Sequence, residues 1–344
     1  MKRVVIIGGG FSATSVAKQL ESKFDAVLVD TKDYFEYTPG ILRTIVEPDH
    51  ARKIQRMHKD YLKKSEIIVG RVLMVSDKYI VVKGRKRINY DYLIICSGSN
   101  YNLPIKEQDV LIGSRADHLE KAYWKLMKAE KVLIIGGGLV GVELAAEICT
   151  HWKGKGIVLI QSSDKLIPRN NLKTISYVEK FLRSKGVKLI CGERMKSVKN
   201  GVCITESGKK IKSDMIFLTV GIVPNYKFMK KNFSKVLDSR GQIRVNDYLQ
   251  VKGQKNIFAA GDVVSVSEEK TAQNAERQAA VVVRNIRALE SGKGLVSYVS
   301  KRTLLVISLG RYDGVIEYGN FVLGGKLAAL MKWLIEKAVM FGYR

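Results

Sequence analysis

Two stretches of this chain repeat one plan. Residues 4–15 read VVIIGGGFSATS, and residues 132–143 read VLIIGGGLVGVE. In each, an apolar run suited to a buried parallel strand meets three glycines, and a helix-like pattern follows. Few local patterns restrict a fold as strongly. A strand that turns through G-x-G straight into a helix leaves that helix's first N–H groups, with the positive end of its dipole, facing outward as an anion cradle.

The first unit predicts a strand over 3–7, a turn Gly8-Gly9-Gly10, a helix from about Ser12 to Ser22 and a strand over 26–30. Its turn reads G-x-G-x-x-A with Gly8, Gly10 and Ala13. The first glycine permits the tight turn, the second lets a pyrophosphate approach the backbone, and the small third residue lets helix and strand pack closely. Asp30 stands 20 residues after Gly10, where a carboxylate accepts from ribose hydroxyls. The second unit predicts a strand over 131–135, then Gly136, Gly138 and Gly141, a helix to about Thr150 and a strand over 156–161. Here Gln161, followed by Ser162, replaces the acid. A neutral amide donates to a 2′-phosphate and does not repel it, so NADPH is expected to be accepted beside NADH. No arginine follows the strand directly, so strict NADPH use is not expected.

Two cradles imply two dinucleotides. A chain that holds both a flavin and a nicotinamide dinucleotide can pass hydride between their rings. The length of 344 residues fits two or three domains, and 46% hydrophobic residues fit a globular protein. The net charge of +26 points to an anionic partner, or to a lysine-rich surface with none. Its densest run is ARKIQRMHKDYLKK, 51–64, followed by KGRKR, 83–87, and KFMKKNFSK, 227–235. Cys96, Cys149, Cys191 and Cys203 form no CxxC or CxxxxC, which suggests inert thiols in a reducing compartment. The four histidines lack metal-ligand spacing, so no metal site is expected. The opening MKRVVIIGG enters a strand at once, Lys2 stands where myristoylation needs glycine, and no apolar run approaches the ~20 residues of a spanning helix. A cytoplasmic protein is expected, or one lying on the cytosolic face of a membrane.

Further segments carry a family likeness. DYLIICSGS, 91–99, with Ser97 and Gly98, and IFLTVGIVPN, 216–225, with Gly221, resemble the two "ATG" segments of two-dinucleotide-binding-domain flavoproteins. IRVNDYLQVKGQKNIFAAGDVV, 243–264, resembles their late FAD motif, in which Gly261 and Asp262 would hold the ribityl chain and phosphates. The chain is thus similar to the FAD-dependent pyridine nucleotide-disulfide oxidoreductase superfamily. Within it, the likeness is to apoptosis-inducing-factor-like, mitochondria-associated quinone reductases and to type II NADH dehydrogenases. DYFEYTPGILR, 33–43, resembles the flavin-facing segment, with Arg43 near flavin or on the surface. TAQNAERQ, 271–278, fits the A-Q-x-x-x-x-Q pattern of the latter group, which would put Gln273 and Gln278 near flavin and quinone. LGRYDGVIEYGNFVLGGKLAALMKW, 309–333, resembles the C-terminal segment of the former group. The redox CxxxxC of disulfide reductases and the CxxC of thioredoxin reductases are missing. The resemblance therefore implies FAD reduced by NADH or NADPH and reoxidised directly, with a quinone as acceptor. It makes Glu143 a residue that orients nicotinamide and relays a proton; the residues alone allow a helix N-terminal acid held by the dipole.

Residues 326–344, KLAALMKWLIEKAVMFGYR, predict an amphipathic helix. At about 100° per residue, Leu327, Leu330, Met331, Leu334, Ile335, Ala338, Val339 and Phe341 share one half, and Lys326, Lys332, Glu336, Lys337 and Arg344 the other. Its apolar half is expected on an anionic membrane surface, on the protein's own core or on a second subunit of a homodimer, with Lys332 reaching the quinone.

These readings predict an α/β protein with two Rossmann-like dinucleotide-binding domains, glutathione-reductase-like in plan, and a small C-terminal domain. The FAD domain comprises 1–104 and 225–294, the NAD(P)H domain 105–224, and the membrane-association or dimerisation domain 295–344. Two other functions fit the sequence. One is a soluble NAD(P)H-dependent reductase of a small iron–sulfur protein. The other is a nucleic-acid-binding role for the basic surface, although no DNA-reading motif is present.

Overall fold

The computed structural model describes residues 1–84, 87–100, 105 and 111–343. The expected domain boundary at residue 104, two basic residues of the 83–87 run and Arg344 lie outside the described residues.

The chain builds the same three-layer unit twice. In the first, β1 (Arg3–Ile7) leads through Gly8–Gly10 into α1 (Phe11–Leu20), followed by β2 (Asp25–Asp30), β3 (Glu66–Val69) and β4 (Tyr92–Ile95). Alternation along β1 decides the layers. Val4 and Ile6 pack with Ala13, Val16 and Ala17 of the helix, while Val5 and Ile7 pack with Val72, Ile80 and Val82 of a meander spanning 72–89. Side chains of a strand alternate between faces, so one apolar run feeds two cores.

After the crossing, α2 (Ile112–Lys128) precedes β5 (Lys131–Ile135), α3 (Leu139–His151), β6 (Gly156–Ile160), α4 (Leu172–Ser184), β7 (Lys188–Ile190) and β8 (Met215–Leu218). These four strands pair in parallel in the order β7-β6-β5-β8. Val132 and Ile134 face the helices, and Leu133 and Ile135 face Cys203 and Ile211 of a second meander. The chain then returns to the first sheet as β9 (Ile257–Ala259), giving parallel pairs in the order β9-β4-β1-β2-β3. The two passages between units, Ser99–Asn100 and Val223–Pro224, pair as a short antiparallel ribbon. Asn225 fastens it: its Nδ2 donates to Ser97 O at 2.8 Å, and its carbonyl accepts from Ser97 Oγ at 2.7 Å.

Helix α5 (Ala272–Glu290), capped by Thr271, packs along α1. The last unit is an antiparallel sheet of β10 (Leu305–Ser308), β11 (Gly314–Tyr318) and β12 (Phe321–Gly324), closed by α6 (Lys326–Phe341).

Helix α6 sits with its apolar half outward. The residues turned inward recur every fourth position, as one stripe of an α-helix must: Ala328, Lys332, Glu336 and Met340. Leu327 is 64% exposed, Leu334 51% and Phe341 68%, while Ile335 and Val339 are half-buried. Tyr343, just beyond the helix, is buried: its ring stacks on Phe35 at 3.9 Å, and its hydroxyl lies 2.8 Å from Thr14 Oγ1.

Candidate functional site

The two glycine turns share their geometry to a close degree. Gly8 and Gly136 have φ of +109° and +110°, a region closed to side chains, and a Cβ on either would lie 2.2 Å from Cys96 O or 2.4 Å from Thr219 O. A Cβ on Gly141 would lie 1.9 Å from Gly136 O, and Ala13, its counterpart, is fully buried; both sit where helix and strand touch. Gly10 and Gly138 are different. A Cβ on either meets nothing within 4 Å, and neither α1 nor α3 has a side-chain cap. Each turn thus presents uncapped helix N–H groups to open space beside a residue that leaves room for a phosphate. The residues present fit two dinucleotides.

Around the first turn, Asp30 accepts from Thr31 N–H at 2.8 Å, and its Oδ2 lies 3.3 Å from His58 Nε2. His58 is fully buried, with Nδ1 on the Tyr61 hydroxyl. The Asp30 carboxylate can only accept, so the Nε2 facing it carries the hydrogen and, in the neutral ring, Nδ1 accepts from the Tyr61 hydroxyl, whose burial pushes its pKa far above the usual range. The late motif meets the same site. Gly261 N–H donates to Gln278 Oε1 at 2.7 Å, and Asp262 Oδ2 accepts from Ser99 Oγ at 2.7 Å. Ser97 and Gly98 lie between β4 and the ribbon, within the same turn region.

Around the second turn, Gln161 Oε1 accepts from Gly137 N–H at 3.0 Å. The amide oxygen does there what a carboxylate oxygen would do, and the NH2 end remains as donor. Ser162 and Gly221 are exposed at the strand ends of β6 and β8.

Between the two units and α6 lies a cavity of about 350 Å³. Glu143, one turn into α3, lines it, and its Oε1 accepts from Ser308 N–H at 2.8 Å and from Lys332 Nζ at 3.1 Å. Lys332 also donates to Val306 O at 3.1 Å. Glu147, on the same face of α3, pairs with Arg43 at 2.9 Å. Burial pushes the Glu147 carboxyl up, opposed by Arg43, whose guanidinium stays charged. Glu336 lies 3.1 Å from His50 Nε2. Burial raises its carboxyl, but the hydrogen bond and charge of His50 and the charge of Arg43 outweigh this and hold it below the usual glutamate range. Leu330, Trp333 and Tyr312 form an apolar rim.

The structure thus gathers Glu143, Lys332 and Arg43 around one cavity, and seats Asp30, Gly261 and Asp262 together at the first turn. Arg43 meets Glu147 and Gly310 O. Both ends of the Gln278 amide are engaged, since Oε1 accepts from Gly261 N–H and Nε2 donates to Glu268 at 2.6 Å. Gln273 Nε2 donates to Leu304 O at 3.0 Å, tying α5 to the start of β10. Sequence reading did not single out His58, His50, Glu147 or Ser308. Glu147 alone had a signal, standing one helical turn after Glu143. All four cysteines are free; burial pushes the Cys149 thiol up to about 12 and Cys96 further. Among the described residues, no cluster of His, Cys, Asp or Glu is suited to a metal, and no helix is long and apolar enough to cross a membrane.

Two glycine cradles on paired three-layer units, with Glu143 of the second unit's helix and Arg43 of the first unit lining one cavity, are the plan of a two-dinucleotide oxidoreductase. Residues 2–279 match the pyridine nucleotide-disulphide oxidoreductase family, and the chain belongs to it. It binds FAD and NAD(P)H. It is 32% identical to apoptosis-inducing factor homolog B of Dictyostelium discoideum, over 96% of this chain and 93% of that protein. It is 33% identical to ferroptosis suppressor protein 1 of Taeniopygia guttata, over 96% of this chain and 92% of that protein. Its fold is similar to that of the sulfide:quinone oxidoreductase of Aquifex aeolicus, with a TM-score of 0.86 at 18% identity, covering 100% of this chain and 92% of the other. It is similar too to NDH2 of Plasmodium falciparum in complex with NADH, with a TM-score of 0.83 at 15% identity, covering 99% and 96%.

Proposed function

We propose that this protein is an NAD(P)H:quinone oxidoreductase that works at a membrane surface. One observation carries the reading: the Lys332–Glu143 pair stands in a cavity whose rim is made by the same helix that turns its apolar half outward. When bound, the flavin takes electrons from the nicotinamide and hands them to the acceptor. Reducing a quinone to a quinol also requires two protons. Lys332 has three N–H donors, and its protein partners take two, which leaves one for a quinone oxygen. Glu143 holds the ammonium in place and passes it a proton drawn from water in the cavity after each transfer, so that two protons reach the quinone in turn. Gly10 and Gly138 admit the two pyrophosphates, Asp30 and Asp262 hold the flavin dinucleotide, and Gln161 donates to the ribose edge of NADH or NADPH. Leu330 and Trp333 let a lipid-soluble acceptor enter from the side that faces the bilayer, with α6 lying in its interface.

The test is anaerobic. One equivalent of NADPH is added to the purified protein, then a short-chain quinone, and the yellow flavin band is followed. The band is expected to bleach and then return within the mixing time. A band that bleaches and stays bleached refutes the quinone as acceptor.

A further inference from the structure

We propose that the cleft between the short helix Ala51–Ile54 and α6 is a headgroup site for an anionic phospholipid. The inference rests on the membrane reading above and adds to it a place and a chemistry.

The densest basic run of the sequence begins at residue 51. The fold brings its first part against the C-terminal helix, where Arg52, Lys53 and Arg56 face Lys337 across a cleft of about 150 Å³. The acid in that cleft, Glu336, is turned to His50, its Oε2 lying 3.1 Å from the ring Nε2, and among the described residues makes no salt bridge with the cleft's cations. Among the described residues the four cations form no salt bridge with a carboxylate. Arg56 is held in place: its Nη1 donates to Arg52 O at 3.1 Å and to Gln55 O at 2.8 Å. A guanidinium fixed in this way keeps its other N–H groups for a phosphate, which it binds in a planar fork.

The neighbours of the cleft select the source of that phosphate. Met340 and the exposed Phe341 line it, and Leu330 and Leu334 continue the apolar face along the same helix. At about 100° per residue, Lys337 falls between the inward stripe and that face. With the apolar side chains among the acyl chains, the cleft stands at headgroup depth. A free phosphate has no use for the apolar rim, whereas a phospholipid fills both parts.

The experiment uses the full-length flavin-loaded protein and co-sedimentation with vesicles of phosphatidylcholine, alone or with phosphatidylserine. The quadruple variant R52Q/K53Q/R56Q/K337Q is compared with K196Q/K199Q/K210Q/K212Q, which removes the same charge from exposed lysines of the second meander. The cleft variant is expected to lose about tenfold or more of its partitioning onto phosphatidylserine vesicles while keeping its binding to phosphatidylcholine; the control variant is expected to change less than about twofold. An equal loss in both variants would make bulk charge the cause and overturn the site. So would unchanged binding of the cleft variant. Displacement from phosphatidylserine vesicles by millimolar glycerol phosphate would overturn the lipid in favour of a soluble phosphate. Wild-type protein that ignores both vesicles refutes the membrane reading itself; wild-type protein that binds phosphatidylcholine with no gain from phosphatidylserine refutes the cleft alone.

Discussion

The substitution Gly138→Ala separates folding from cofactor binding. Gly138 has φ −73° and ψ −175°, an extended conformation open to alanine, and its added Cβ meets no protein atom within 4 Å. Folding stability is therefore expected to stay the same or rise by up to about 1 kcal/mol, because alanine restricts the unfolded chain. On the proposed reading, the new methyl stands where the nicotinamide dinucleotide's pyrophosphate would come closest to the backbone. Moving that ligand or bending the turn costs about 1–3 kcal/mol, as overpacking does elsewhere. At about 1.4 kcal/mol per tenfold, the affinity for NADH and NADPH falls roughly 5- to 150-fold. The assay pairs urea unfolding of the flavin-loaded variant with anaerobic titration of flavin reduction. Flavin content is expected to match wild type, since the first cradle is untouched. Gly10→Ala, equally open in space, is expected to reverse the pattern, with flavin lost and the fold kept. Gly141→Ala serves as the contrast: its Cβ would sit 1.9 Å from Gly136 O, and it should destabilise the fold. Unchanged NAD(P)H affinity in Gly138→Ala, or loss of its fold, would refute the assignment of open space to phosphate.

Other consequences are measurable. Lys332→Met leaves Glu143 with only Ser308 N–H; the pair is partly open to the cavity, so the loss of stability is about 1–3 kcal/mol, below that of a fully buried pair, and the double variant with Glu143→Gln should recover part of it. The same change should slow flavin reoxidation by quinone about 100-fold or more while sparing its reduction by NADH, which stopped-flow absorbance resolves. Gln161→Glu keeps the bond to Gly137 and adds charge, so KM for NADPH should rise about tenfold with little change for NADH in steady-state assays. Glu336 is held below the usual glutamate range, so the stability it lends to α6 docking is full above its unfolded value of about 4.3 and is lost as pH falls through the lower folded value. Hydrogen exchange localised to 326–341 should report this release on acidification, whereas a whole-protein melt also contains Glu147, whose raised carboxyl acts with the opposite sign.

The sequence by itself determined the elements whose cause is local. A G-x-G turn acts through the backbone of a few neighbouring residues, so both cradles, their strands and their helices are legible as text, and their repetition predicts two dinucleotide domains. Asp30 and Gln161 are legible for the same reason, because each closes the strand after its own turn. Only the tertiary structure decided how charges pair. Helix α6 reads as a helix with an apolar half to bury, yet it turns Ala328, Lys332, Glu336 and Met340 inward, because the partners of its charges, Glu143 and His50, arrive from distant parts of the chain. Gln278 fits a flavin-side motif in the sequence, and the fold engages both ends of its amide, one with Gly261 N–H and the other with Glu268. His58 reads as one more member of a basic run until β2 and the short helix His58–Tyr61 bring it to Asp30. A periodic pattern specifies which side chains share a face. What that face meets depends on contacts between segments far apart in sequence, and no local pattern encodes them.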